Sequence, residues 1–274
     1  MKQRFDRDRA LQAIDQLGYF QSVRWWEEID STNRCLAREL KSDNPPSLPA
    51  LLVADRQLAG VGRGRNSWWS PSGCLMFSMA VPWSIPESER ATLPLQVGLA
   101  VAQSLADWSV DQPKVKWPND VYIEDRKVCG ILIESSTRRM DGNVEEYSII
   151  GIGINCCIDW TGAPEELRAS AISLHEASPK SLAESISPES ILVSVLQHWR
   201  NVSDRSRMDK HWLGREWAEW SWLEGKWVEI VSSGSSLIGL AKGINSSGAL
   251  LIEDRFGRTH AILSGTVRAI EDGS

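Results

Sequence analysis

The chain has 274 residues, 42% hydrophobic and 24% charged, with a formal net charge of -6. That size suits one large core plus a smaller module, two domains in all. The acidic excess disfavours broad attraction to DNA, RNA or an anionic membrane, although a local basic cleft still suits a phosphate. The first residues, MKQRFDRDRA, carry charges where a secretory signal needs an apolar run. No stretch is apolar and long enough to span a bilayer, so the expected location is cytoplasmic. Five cysteines with no C-x-x-C pair read as reduced thiols. His175, His198, His211 and His260 are scattered without zinc spacing.

In chain order, Leu11, Ile14 and Leu17 recur at helical spacing ahead of Gly18, which predicts a short helix over 8–17. Asp30-Ser31-Thr32-Asn33 supplies capping side chains before an apolar face of Cys35, Leu36 and Leu40. Strands are expected over 51–54, 75–81, 121–123, 128–133 and 148–154. Leu93, Val97, Val101, Leu105 and Trp108 form the stripe of a helix packed on that sheet. Glu124-Asp125 between two strand-like runs marks a hairpin, so the sheet is at least partly antiparallel, and the class is α+β. Residues 158–187 read as irregular. Ser187-Pro188 opens a helix whose stripe runs from Ile191 to Val202. Trp199, Trp212, Trp217, Trp220, Trp222 and Trp227 crowd the region that follows and are read as packing residues, not as a ligand cage. Short strands over 227–231, 237–242, 249–252 and 260–263 suggest a small barrel, with a domain boundary near residue 224.

Two segments carry candidate chemistry. In Gln57-Leu58-Ala59-Gly60-Val61-Gly62-Arg63-Gly64-Arg65-Asn66-Ser67-Trp68, glycines let backbone N–H groups approach an anion and arginines add fixed charge. The spacing is neither a dinucleotide fingerprint nor a P-loop, and a flexible surface loop is the competing reading. In Lys116-Trp117-Pro118-Asn119-Asp120 and the following Lys127-Val128-Cys129-Gly130, two lysines flank an aspartate, and Gly130 interrupts an apolar strand where a ligand can come close. The plain alternative is a solvated hairpin lysine and a bulge glycine.

Together with Asp30-Ser31-Thr32-Asn33 upstream and Gly151-Ile152-Gly153-Ile154-Asn155 downstream, these blocks resemble the signature blocks of biotin protein ligases, in the same order. The likeness extends to Ala171-Ile172-Ser173-Leu174 and to residues 242–251, and covers most of residues 28–270. It implies a catalytic domain over 1–224 related to class II aminoacyl-tRNA synthetases, followed by an SH3-like β-barrel over 225–274. Some members add an N-terminal helix-turn-helix. Too few residues precede Ser31 for one, so a ligase of the monofunctional type with no DNA partner is expected.

The resemblance also assigns roles. Arg63, Lys127 and Asp120 would be catalytic. Ser31, Thr32, Gln57, Gly62, Arg63, Lys127 and Gly130 would hold biotin. Asn33, Arg63, Arg65, Lys116, Asn119 and Asn155 would hold ATP, with Mg²⁺ on the phosphates through unassigned ligands. Asp120 would pair with Arg63 or orient the acceptor lysine. The expected partner is the biotin carboxyl carrier domain of acetyl-CoA carboxylase or a related carboxylase, and a homodimer is possible. Val61 and Asn66 stand where the family loop usually has arginines. The alternatives are a lipoate-protein ligase and, from another class, a nonenzymatic ligand sensor.

Overall fold

The computed structural model describes residues 6–64, 66–82, 87–140, 143–209, 211–232 and 234–271. The first part runs α1 (Arg7–Leu17), β1 (Ser22–Ile29), α2 (Thr32–Glu39), β2 (Ala50–Gln57), β3 (Cys74–Pro82), α3 (Leu93–Ala106), β4 (Lys114–Lys116), β5 (Asp120–Ile123), β6 (Arg126–Met140) and β7 (Asn143–Asn155). Short helices α4 (Glu165–Ser170), α5 (Leu174–Ala177) and α6 (Lys180–Ala183) follow, then α7 (Pro188–Met208) and α8 (Trp212–Trp220). The chain closes with β8 (Trp227–Ser232), β9 (Ser235–Ile244), β10 (Leu250–Glu253), β11 (Thr259–Ile262) and β12 (Thr266–Ala269).

The larger sheet is seven-stranded in the order β1-β2-β3-β7-β6-β5-β4. Only β1 and β2 are parallel, and α2 makes their crossover. The hairpin expected at Glu124-Asp125 joins β5 to β6, and both residues take the left-handed backbone (φ 50 and 61) that a tight two-residue turn requires. One face is covered by α3, which is buried along almost its whole length. Gly98 lets α3 lie close to β4, since a Cβ there would stand 3.0 Å from Val115 Cγ1. The outer helix α7 packs on α3, and Ile191, Leu192, Val195 and Trp199 are among its buried residues.

Residues 158–187, expected to be irregular, contain the three short helices. At four to six residues each they are too short to show a helical period, and a proline precedes both α4 and α6. Ser173 and Glu176 cap α5 reciprocally, a capping box. Trp199, Trp212 and Trp217 are all within the core, at 4%, 3% and 1% exposure, which supports the packing reading of the tryptophan-rich segment. Each such side chain contributes on the order of 2–3 kcal/mol of burial.

The C-terminal strands form a five-stranded antiparallel sheet, β11-β10-β9-β8-β12. The small C-terminal β module expected from the sequence is thus present as an antiparallel sheet, and among the described residues no ladder joins β11 to β12. Its apolar residues Val228, Ile230, Ala241, Leu250, Ile252 and Val267 belong to the same continuous core as the larger sheet. Among the described residues no helix is long and apolar enough to cross a membrane.

Candidate active site

The floor of the site is the central hairpin of the larger sheet. Gly130 of β6 lies opposite Gly153 of β7, and Leu132 opposite Gly151. Side chains are missing here because other groups occupy the space. A Cβ on Gly153 would lie 2.6 Å from Trp68 Cε2, and one on Gly130 would lie 2.9 Å from Trp68 Cζ3. A Cβ on Gly151 would lie 2.1 Å from Asn33 Oδ1. The glycines thus form a flat patch that admits an indole and an amide, and Gly130 is a close-approach position as the sequence suggested.

Lys127 enters this patch from a slip in the β5–β6 register, where pairing shifts between Val121 and Tyr122. Its Nζ lies 2.7 Å from Asp120 Oδ1, with the two side chains 31% and 22% exposed. The charges touch without the alignment of a hydrogen bond. The same ammonium stands 5.7 Å from the Trp68 ring centroid. Trp68 Nε1 is buried and has no hydrogen-bond partner among the described residues.

The walls come from α2 and β2. Gln57 Oε1 accepts from Thr32 N at 2.7 Å and from Thr32 Oγ1 at 3.1 Å, which fixes the amide and leaves its Nε2 as a donor. Asn33 is 2% exposed and fully engaged: its Nδ2 donates to Glu134 Oε2 (2.8 Å) and Leu132 O, and its Oδ1 accepts from Ser78 Oγ (2.6 Å). Ser31, Thr32, Gln57, Gly62, Arg63 and Asn119, with the glycine floor, line a narrow cavity of ≈ 50 Å³. Beside it opens a wide cleft of ≈ 1200 Å³ bounded by Gly60, Trp69, Asn155, Trp160 and Leu167. Gln57, Trp68 and Lys127 border both spaces.

The roof is the glycine- and arginine-rich loop, folded as a small hairpin. Gly62 N donates to Asn66 O (2.9 Å), Trp68 N donates to Gly60 O (3.0 Å), and Val61 bridges Ser67. Asn66 therefore serves the loop through its backbone. Arg65 lies outside the described residues. The Arg63 guanidinium donates to Gly265 O at 2.6 Å, in the turn between β11 and β12. The expected Arg63–Asp120 pairing is replaced by Asp120–Lys127, because Asp120 lies on β5 next to the register slip that delivers Lys127.

Lys116 borders neither space. Its Nζ sits 3.1 Å from Tyr122 Oη and over the rings of Tyr122 (4.6 Å) and Trp222 (4.9 Å). Burial lowers its pKa, opposed by the Asp120 charge. Burial and the Asp120 charge push the Tyr122 phenol up to about 12. Asn119 Nδ2 donates to Ile131 O (2.8 Å), and Asn155 Nδ2 donates to Lys127 O and Ile172 O (both 3.2 Å), so both amides brace the site's backbone.

The biotin/lipoate A/B protein ligase family matches residues 25–155, the span that holds the floor, the walls and the roof. Residues 25–155 are a domain of that family. Relatives include the bifunctional ligase/repressor BirA of Escherichia coli, 36% identical over 46% of this chain and 38% of its own length. The alignment with Bacillus spizizenii BirA, 32% identical, covers 64% of this chain and 53% of the relative. The chain thus spans about half or less of those proteins. The biotin–[acetyl-CoA-carboxylase] ligase of Mycobacterium tuberculosis aligns over 96% of this chain and 98% of its own length at 28% identity. The Aquifex aeolicus biotin protein ligase, solved with biotin and ATP, superposes with a TM-score of 0.73 at 27% identity, covering 92% of this chain and all of that one.

Some features of the site were not singled out from the sequence. Trp68, quoted only as the end of the loop, lies on the glycine floor. Trp69 stacks on Trp160 with centroids 5.8 Å apart and planes at 18°, joining the roof to the segment after β7. Trp160 is held in turn by Glu176, which accepts from its Nε1 at 2.6 Å. The alternation Gly151-x-Gly153 opposite Gly130 was the available signal for the floor, since period-two glycines on one face of a buried strand announce close approach.

Proposed function

We propose that the protein joins biotin to ATP to form biotinyl-5′-AMP, then transfers the biotinyl group to a lysine of a biotin carboxyl carrier domain of acetyl-CoA carboxylase or a related carboxylase. The observation that carries this reading is the placement of Lys127, paired with Asp120, on a Cβ-free floor where the narrow cavity meets the wide cleft. Attack of a carboxylate on an α-phosphate brings two anions together. Each unit-charge repulsion costs about 4 kcal/mol at 4 Å and an effective dielectric near 20. A fixed ammonium at that junction offsets it by positioning and charge, with no covalent step on the protein.

Thr32, the Gln57 Nε2 donor and the unpaired Trp68 N–H suit a ring carrying both donors and acceptors, as the ureido ring of biotin does. Mispaired buried groups are costly, so this pattern supplies selectivity. ATP would take the wide cleft near Asn155, with Arg63 adding charge from the roof. Mg²⁺ would arrive on the triphosphate, because no group of three His, Cys, Asp or Glu side chains forms a cage among the described residues. Lys116, held behind Tyr122, would act on the phosphates through the local field. In the second step Asp120 would help orient the acceptor lysine, whose free pKa near 10.4 means it must lose a proton to attack. We place the division between catalytic and C-terminal parts after residue 224.

Pyrophosphate release measured with each substrate omitted in turn tests the reading. Release is expected only with ATP and biotin together. Equal release with lipoate would reassign the acid, and none with either would exclude adenylation.

A further inference from the structure

We propose that the β11–β12 turn of the C-terminal sheet is part of the active site, and that the Gly265 carbonyl positions Arg63 over the ligand space. This rests on the ligase reading above. The contact spans 202 residues of sequence and ties the site's roof to the second sheet at 2.6 Å. A guanidinium donating to a carbonyl makes a charge-assisted bond, stronger than a neutral one. It uses one of five N–H donors, so the group remains able to meet an anion.

The carbonyl is a fixed point because the turn cannot drift. A Cβ on Gly265 would lie 2.9 Å from both Val231 O and Ile230 Cγ1, so the backbone already rests against β8. Thr266 and Val267 then pair with Val231 and Ile230. The second sheet and the segment leading into it are tied to the first part of the chain. Trp117 Nε1 donates to Gly248 O (3.1 Å), Trp222 N donates to Val115 O (2.9 Å), and a Cβ on Gly248 would lie 2.9 Å from Ala91 O. Trp117 stands in the block that ends at Asp120, the partner of Lys127. Lys127 and Arg63 are therefore referred to one connected framework, Lys127 through the larger sheet and Arg63 through the turn. Gly265 is a positioning residue, acting through Arg63, which lines the narrow cavity and so stands where its charge would hold the adenylate's phosphate against escape before transfer.

Two measurements test this. Arg63 is exposed, so Arg63→Ala should fold, and in glycine-labelled protein its Gly265 ¹³C′ resonance should move upfield, as a carbonyl losing a hydrogen bond does. An unmoved resonance overturns the contact, whatever the protein's activity. The second is the first-order loss of biotinyl-5′-AMP from enzyme freed of excess ligand. Arg63→Ala should speed loss roughly ten- to a hundredfold, the worth of a hydrogen bond to a charged group. Gly265→Val, which pushes the turn off Val231, should speed it comparably with little change in KM for biotin. The double variant should be no faster than Arg63→Ala alone. If Gly265→Val does not fold, one glycine inserted after Ser264 displaces the carbonyl without a clash. A folded turn variant that changes loss less than twofold, or single effects that multiply, would overturn the proposal. Parent enzyme that forms no adenylate would sink the ligase reading instead, with the resonance still reporting the contact.

Discussion

The floor and the roof of the site are built on opposite terms. In the floor, space and hydrogen bonds are spent: the glycines leave no room for a methyl group, and Asn33 commits both of its polar atoms to the fold. The roof is a few backbone hydrogen bonds, one bond from Arg63 to the β11–β12 turn and one tryptophan stack, with Leu58 61% exposed. A surface that must hold charge in register needs the first kind of construction, and one that must open to admit ligand needs the second.

The contrast predicts unequal responses to substitution. Lys127→Ala should slow adenylate formation about 100- to 1000-fold, the scale for losing one preorganised electrostatic contact. Its unfolding free energy should change by less than about 1 kcal/mol, because the pair is partly exposed. Single-turnover rates and denaturant titration separate the two. Gly151→Ala should do the reverse and lose about 2–4 kcal/mol, by overpacking and by forcing the Asn33 amide from its partners. A midpoint shift under 0.5 kcal/mol would show that the floor yields as the roof does.

Much of this was legible in sequence. The stripes that became α3 and α7 faced one core, and the Glu124-Asp125 turn set Asp120 and Lys127 on neighbouring strands. What escaped has physical reasons. β1 reads as polar because it is an edge strand whose side chains pair laterally, Trp25 with Asp55 and Glu28 with Arg56. The helix α8 was hidden in a tryptophan cluster too dense for a clear period. Asn33 was expected at the nucleotide, but no local pattern reveals that Ser78 and Glu134, far away in sequence, take its amide. The Arg63–Gly265 bond is equally nonlocal.

Smaller effects sharpen the comparison at the roof. A double-mutant cycle on Trp69→Ala and Trp160→Ala should give a coupling of about 0.5–1.5 kcal/mol, as expected of a stacked pair. Zero coupling would mean the stack does not join the roof to the segment after β7. The smallest effect concerns pH. A hydrogen bond from Arg38 holds the Asp30 carboxyl at about 2, below its ordinary 3.8. A carboxyl lowered in the folded state adds stability above its unfolded value and loses it as pH falls through the folded one. Asp30→Asn should therefore remove a small, salt-sensitive part of the stability above pH 4 and flatten the acid limb between about 4 and 2. An unchanged acid limb would show the pair to be energetically idle.

The central claim is the chemistry at the junction of cavity and cleft. The direct measurement is incubation with ATP, Mg²⁺, labelled biotin and a carboxylase's biotin carrier domain, followed by mapping of the label. The account predicts one labelled lysine on that domain, dependent on ATP and lost with Lys127→Ala. A folded protein that leaves the carrier unlabelled would contradict it.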